Sequence, residues 1–239
     1  MKNTTCIKSF RLAGFVVFIY LLNSCVPAYI PNTVNTPLFT GKHELTANIG
    51  TGISGWDPQV AFSVSKHIGI MVNSSFANRT KDTVNFHRHA FVEGGVGYFI
   101  NPVGPLVLEA YGGFGAGKVE SYYDNDNLKR TTNAELRRFF FQPSVGITNK
   151  VVDISFTPRL VLVDVDMLDY KDVNSNHLTG YRPFVEPTFT FKVGYKYVKF
   201  FTQFGFSIPF DNDTRYTYNS QPFMFTVGLH ATFGRKYLK

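Results

Sequence analysis

Phe223-Met224-Phe225-Thr226-Val227-Gly228-Leu229-His230-Ala231-Thr232-Phe233 is the stretch that decides the fold. Along an extended chain Phe223, Phe225, Val227, Leu229, Ala231 and Phe233 share one face. Met224, Thr226, Gly228, His230 and Thr232 share the other. A sustained period of two describes a strand with one apolar and one polar face, since a helix would scatter these residues around its axis.

The same period runs back through the chain. Val185, Pro187, Phe189, Phe191, Val193 and Tyr195 alternate with Glu186, Thr188, Thr190, Lys192 and Gly194. Phe139, Phe141, Pro143, Val145 and Ile147 alternate with Arg138, Phe140, Gln142, Ser144 and Gly146. Strands are expected near 43–51, 58–66, 68–77, 88–100, 106–119, 134–148, 152–165, 182–197, 199–209 and 222–234. Connections near 67, 101–105, 149–151 and 198 are tight. Those near 52–57, 78–87, 120–133, 166–181 and 210–221 are longer and rich in Asn, Asp, Thr and Lys. Alternating short and long connections describe an all-β, up-and-down antiparallel barrel of about ten strands, with both chain ends on the short-turn side.

Composition agrees. Charged residues make up 17% of the 239 and aromatic residues 16%, which excludes an intrinsically disordered chain. No apolar run beyond the N-terminus approaches about 18 residues, so a bundle of transmembrane helices is excluded.

Residues 1–24 read as a secretory signal. Lys2, Lys8 and Arg11 precede an apolar core from Leu12 to Leu22 that is too short to span a bilayer. Leu22-Asn23-Ser24-Cys25 resembles a bacterial lipobox, and the resemblance implies a lipoprotein signal peptide with acyl chains, palmitate among them, on Cys25. Cys6 would leave with the signal, so the mature chain would hold no thiol for a disulfide or zinc site. The formal charge of +7 falls to +4 for residues 25–239, too modest and scattered to argue for nucleic acid. Residues 25–42 contain three prolines and read as a lipidated, extended tether, leaving 43–239 as the barrel domain.

Three features favour a barrel with its apolar face toward lipid. The apolar face is uniformly bulky, as at Phe189, Phe191, Phe204, Phe206 and Phe225. The polar face carries glycines that make room in a narrow lumen, among them Gly95, Gly113, Gly115 and Gly228. Tyr98, Tyr122, Tyr181, Tyr195 and Tyr197 gather near strand ends, where amphipathic rings suit a lipid–water boundary. The alternative is a soluble lipid-anchored barrel binding an apolar ligand.

Four stretches carry a family likeness. They are Pro31-Asn32-Thr33-Val34-Asn35-Thr36-Pro37, Val193-Gly194-Tyr195-Lys196-Tyr197-Val198-Lys199, Phe206-Ser207-Ile208-Pro209 and Phe233-Gly234-Arg235-Lys236-Tyr237. In this order the chain resembles the small outer-membrane β-barrel lipoproteins of Bacteroidetes-type bacteria. The resemblance implies a Gram-negative outer membrane with its lipids and lipopolysaccharide, lipoprotein-processing enzymes and barrel-assembly machinery as partners, and no catalytic residues. Thr226, Gly228, Ala231 and Phe233 resemble a barrel-assembly signal.

The chemistry-bearing patterns are sparse. Gly112-Gly113-Phe114-Gly115-Ala116-Gly117-Lys118 fits G-x-x-x-x-G-K but lacks the following Ser or Thr and helix, so a glycine-rich strand face is expected. His87 and His89 share a strand face without a third metal ligand in spacing. Asp124 and Asp126; Asp164, Asp166 and Asp169; and Asp211 and Asp213 fall in the expected long loops, and none forms an EF-hand pattern. No G-x-S-x-G occurs, and neither an enzyme nor a cofactor is expected. Glu93, Glu109 and Glu186 share inward parity with Arg138, Arg159 and Lys192. Buried charges must pair or face water. Paired, they plug the barrel and leave a structural or loop-display role; separated by water, they line a narrow channel.

Overall fold

The computed structural model describes residues 29–80, 85–125, 128–171, 174–210 and 220–236. The signal at 1–24 and Cys25 lie outside the described residues. The strands are β1 (Leu45–Gly52), β2 (Gly55–Ser63), β3 (Ile68–Thr80), β4 (Phe86–Ile100), β5 (Leu106–Asn125), β6 (Leu128–Thr148), β7 (Val152–Lys171), β8 (Asn174–Tyr195), β9 (Val198–Phe206), β10 (Ile208–Pro209) and β11 (Phe223–Phe233). β1 to β9 pair in sequence, each antiparallel to the next. β9 then pairs with β11, and β11 with β1, where Gly50 stands opposite Gly228. The ten long strands therefore form a closed antiparallel barrel, as the alternation predicts. Two-residue β10 lies against the middle of β8.

Alternation sorts the side chains into two environments. Val72, Val96, Phe114, Phe139, Ile154, Phe189, Phe204 and Leu229 point outward and are exposed. Asp57, Gln59, Asn73, Glu93, Gln142, Thr188, Gln203 and Thr226 point inward and are buried. Around its middle the barrel is apolar outside and polar inside.

At the long-loop end this polarity reverses. On β7, Ile154, Phe156, Leu160 and Leu162 lie on the outer face, and the next residues on that face are Asp164 and Asp166. The inner face there carries Val161, Val163, Val165 and Met167, all buried. The switch follows one row around the sheet: Ala116 is opposite Arg137, Arg137 opposite Asp164, and Asp164 opposite Tyr181. One step higher, outward Lys118 and Glu135 pair at 2.8 Å.

The wall is uneven. β5 to β8 are 20–22 residues long, whereas β1, β2, β9 and β11 have 8–11. This corrects the expected loops at 120–133 and 166–181. Most of those residues continue the β5–β6 and β7–β8 ladders, leaving only 126–127 and 172–173 between strands. The ladder persists because Val119, Ala134, Leu136, Val165 and Met167 still bury an inner face.

The expected tether is corrected too. Residues 31–39 are buried inside the barrel. The segment belongs to the domain interior, because its polar groups find partners on the lumen wall.

Candidate functional site

The lumen is built from the N-terminal segment and the side chains that hold it. The segment starts at the long-loop end, where the Gln221 amide donates to the Tyr29 carbonyl at 2.9 Å. It finishes at the short-turn end, where Thr40 Oγ1 donates to Glu44 Oε1 at 2.6 Å just before β1. Pro31 and Pro37 favour an extended path, and a buried extended chain must find hydrogen-bond partners for its amides and carbonyls.

Those partners are side chains. Gln203 accepts from the Val34 amide at 2.7 Å and donates to the Val34 carbonyl at 2.9 Å, as a neighbouring strand would. Gln59 donates to the Thr33 carbonyl at 2.6 Å and Gln142 to the Asn35 carbonyl at 2.8 Å. Lys192 Nζ donates to the Thr36 carbonyl at 2.7 Å. Glu109 accepts from the Leu38 amide at 3.0 Å. Arg235 donates to the Pro37 and Leu38 carbonyls at 3.0 and 2.9 Å. The segment's own side chains join in: Thr33 donates to Asp57, and Asn35 to Asn73 at 2.8 Å.

One charge cluster lies across the middle. Glu93 Oε2 accepts from both Arg138 and Arg159, the latter at 2.7 Å. Asn32 Oδ1 accepts from the same guanidiniums at 2.6 and 3.2 Å. Arg138 stacks over Phe91 at 4.2 Å and Arg159 over Phe140 at 4.6 Å. Glycine makes this layering possible. A Cβ on Gly113 would strike the Phe140 ring and the Gly94 carbonyl; one on Gly115 would strike Phe91 and Glu93.

All six expected lumen charges are therefore buried and inward, but only three pair with one another. Glu109 and Lys192 bind the segment's backbone. Glu186 accepts from the Tyr29 hydroxyl at 2.8 Å and from Ser207 at 3.1 Å. Two further buried pairs, Asp153–Lys199 at 2.6 Å and Glu44–Arg235 at 2.9 Å, close the short-turn end. Their signal in the sequence was parity alone, which many exposed residues share. Leu38 and Phe39 complete the fill, with Phe39 against Phe99 at 5.4 Å between ring centres. The gap beside Tyr29, Asn32 and Arg138 measures about 20 Å³, room for about one water.

The remaining candidates fall elsewhere. Thr226 faces inward and shares a 2.8 Å hydrogen bond with Thr33. Gly228 sits at the β1–β11 seam, Ala231 is half-buried, and Phe233 points outward. The G-x-x-x-x-G-K stretch lies wholly within β5. His87 and His89 stand at the long-loop end, beside outward Arg88, with 3.1 Å between Nε2 of one and Nδ1 of the other. Burial, then His89 and Arg79, pushes His87 down to about 4. Burial, then Arg79, does the same to His89. Asp164 and Asp166 are outward on β7, and Asp166 meets His177 at 2.7 Å. Asp124 pairs with Lys129 at 3.4 Å. Asp126, Asp211 and Asp213 lie outside the described residues. Among the described residues no three metal-ligating side chains cluster.

No protein-family model matches the chain, and no curated protein matches it. Among solved structures it is similar to the translocator domain of the autotransporter NalP from Neisseria meningitidis, at 9% identity over 96% of each chain with a TM-score of 0.46.

Proposed function

We propose that this protein is an outer-membrane barrel, lipid-anchored at Cys25, whose lumen is closed by its own N-terminal segment. In this reading it works through the surface it presents, without catalysing a reaction or conducting solute. Outer-membrane lipids and lipopolysaccharide are its surroundings, and lipoprotein-processing enzymes and the barrel-assembly machinery are its partners in biogenesis.

The observation that carries the membrane reading is the polarity reversal. Water would not tolerate so wide an exposed apolar belt on a monomer. From Leu106 to Phe114 on β5 the belt rises about 20 Å, at about 3.3 Å per residue and a strand tilt of about 40°. That approaches the about 25 Å apolar band of outer-membrane barrels. Arg88, Lys118, Glu135 and Arg137 then face outward at the height of lipid headgroups and sugars. Residues 31–39 and the polar side chains around them fill the middle of the lumen, where a ligand-binding barrel would hold an apolar ligand.

The test is conductance. The mature protein, folded and heat-modifiable, is expected to be silent in a planar bilayer. A variant lacking residues 29–40 is expected to conduct in unitary steps, because its lumen would lose the chain that fills it. Stable steps from the intact chain that change on Glu93→Gln or Arg159→Gln would replace this reading with the narrow channel.

A further inference from the structure

The direction in which residues 29–40 run has a consequence for the anchor. Tyr29 lies at the long-loop end, bonded through its carbonyl to Gln221, while Leu38 and Phe39 lie at the short-turn end. Tyr29, the first described residue, therefore stands at the long-loop end of the lumen. Cys25 is four residues away, a reach of at most about 14 Å. Returning to the short-turn end would mean covering again the nine steps from Tyr29 to Leu38, about 30 Å of extended chain. Four residues cannot do so.

We infer that Cys25 and its acyl chains sit on the long-loop side of the membrane, in the leaflet opposite the one nearest the start of β1 and the C-terminal end of β11. This rests on the outer-membrane, lipid-anchored reading above.

The uneven wall supplies an independent observation that points to lipid. The Tyr29 backbone bridges Ser220, just before β11, and so lies toward the low side formed by β9, β11, β1 and β2, while its hydroxyl reaches across to Glu186 and Arg138. The outer surface there is apolar: Phe204, Phe206 and Phe225 are all exposed. Among the described residues, this low rim is what would stand between acyl chains on Cys25 and hydrocarbon. On the opposite side β5 to β8 stand taller and present charge outward. In an outer membrane, whose barrels put short turns in the periplasm, the long-loop leaflet is the outer one. The protein would then carry its anchor on the cell surface, with the linking chain inside its own barrel.

The test uses the full-length chain in intact Gram-negative cells, with a membrane-impermeant maleimide. Ala28→Cys reports the segment's beginning. Val103→Cys, in the exposed turn between β4 and β5, reports the short-turn side. Both variants are first checked for heat-modifiable migration, with Pro27→Cys replacing Ala28→Cys if needed. The expected result is at least tenfold stronger labelling of Ala28→Cys than of Val103→Cys in intact cells, with the two equal once the outer membrane is permeabilised. Labelling of Ala28→Cys only after permeabilisation, or of both positions from the same side, overturns the inference. Acylation is read separately, by incorporation of an alkyne fatty acid in the wild type and its loss in Cys25→Ala. External labelling of Ala28→Cys without acylation would overturn the anchor while leaving the chain direction intact.

Discussion

Glu93 is only 1% exposed, and its carboxylate lies between two guanidiniums that are themselves fully buried. Removing one partner from a buried ion cluster costs more than the cluster contributes, because the remaining charge keeps its desolvation penalty. Glu93→Gln is therefore expected to destabilise the barrel by about 3–5 kcal/mol, read as a lower urea midpoint for loss of heat-modifiable migration. Tyr29→Phe removes one hydroxyl that donates to Glu186 and accepts from Arg138, and is expected to cost about 1–3 kcal/mol in the same assay. His87 and His89 give a pH dependence whose sign follows from their lowered values of about 4. An unfolded histidine takes a proton near 6.5, so between about 6.5 and 4 the opened state holds more protons and falling pH favours it. Proteolysis at the β3–β4 end is expected to rise over that window and to lose the dependence in a His87→Gln/His89→Gln variant. Inward parity made Glu93, Arg138 and Arg159 legible in the sequence. Their meeting was not, because parity fixes a face and leaves height along the strand and distance across the lumen open.

At the scale of elements, β7 shows how one alternation serves two solvents. Phe156 and Leu162 are outward below the switch, and Asp164 and Asp166 are outward above it, with no break in the β7–β8 ladder. Two neighbouring substitutions separate the faces. Val165→Asp buries a charge among Val163, Leu136 and Met167 and is expected to open the β7–β8 extension to external protease. Asp164→Asn, on the outer face, is expected to leave it resistant. Limited proteolysis of intact cells, followed by mass analysis of the fragments, distinguishes them. The strand centres and tight turns were legible because their alternation is apolar against polar. The extensions were not. The expected strand stops at Val165 because Asp166, Asp169, Lys171 and Asp172 give the stretch around Met167 the composition of a loop.

For the whole molecule, the barrel and its contents form one object. The closed antiparallel meander was legible from strand number and spacing. The occupied lumen was not, since proline-rich segments commonly link domains and nothing local distinguishes an extended chain in water from one inside a barrel. The decisive groups, Gln203, Gln59, Gln142 and Lys192, are scattered over four strands. If those side chains recognise backbone as the structure implies, the interior of a barrel lacking residues 29–40 should accept the missing piece in trans. A synthetic peptide of residues 29–40, added from the long-loop side, is expected to silence the variant's conductance. A scrambled peptide that places prolines at the Val34 and Asn35 positions should not.

The seam between β1 and β11 also sets an order of events. Residues 40–44 make a short bend from the lumen segment into β1, and β1 is one lip of that seam. While the sheet is still open the segment can fold back onto its inner face, and no free end has to be passed through a finished ring. Once β1 meets β11 the ring is complete, with Tyr29 at the end of the lumen away from the start of β1. A chain that seals before the segment has docked must instead thread its free end up the ring from the short-turn end.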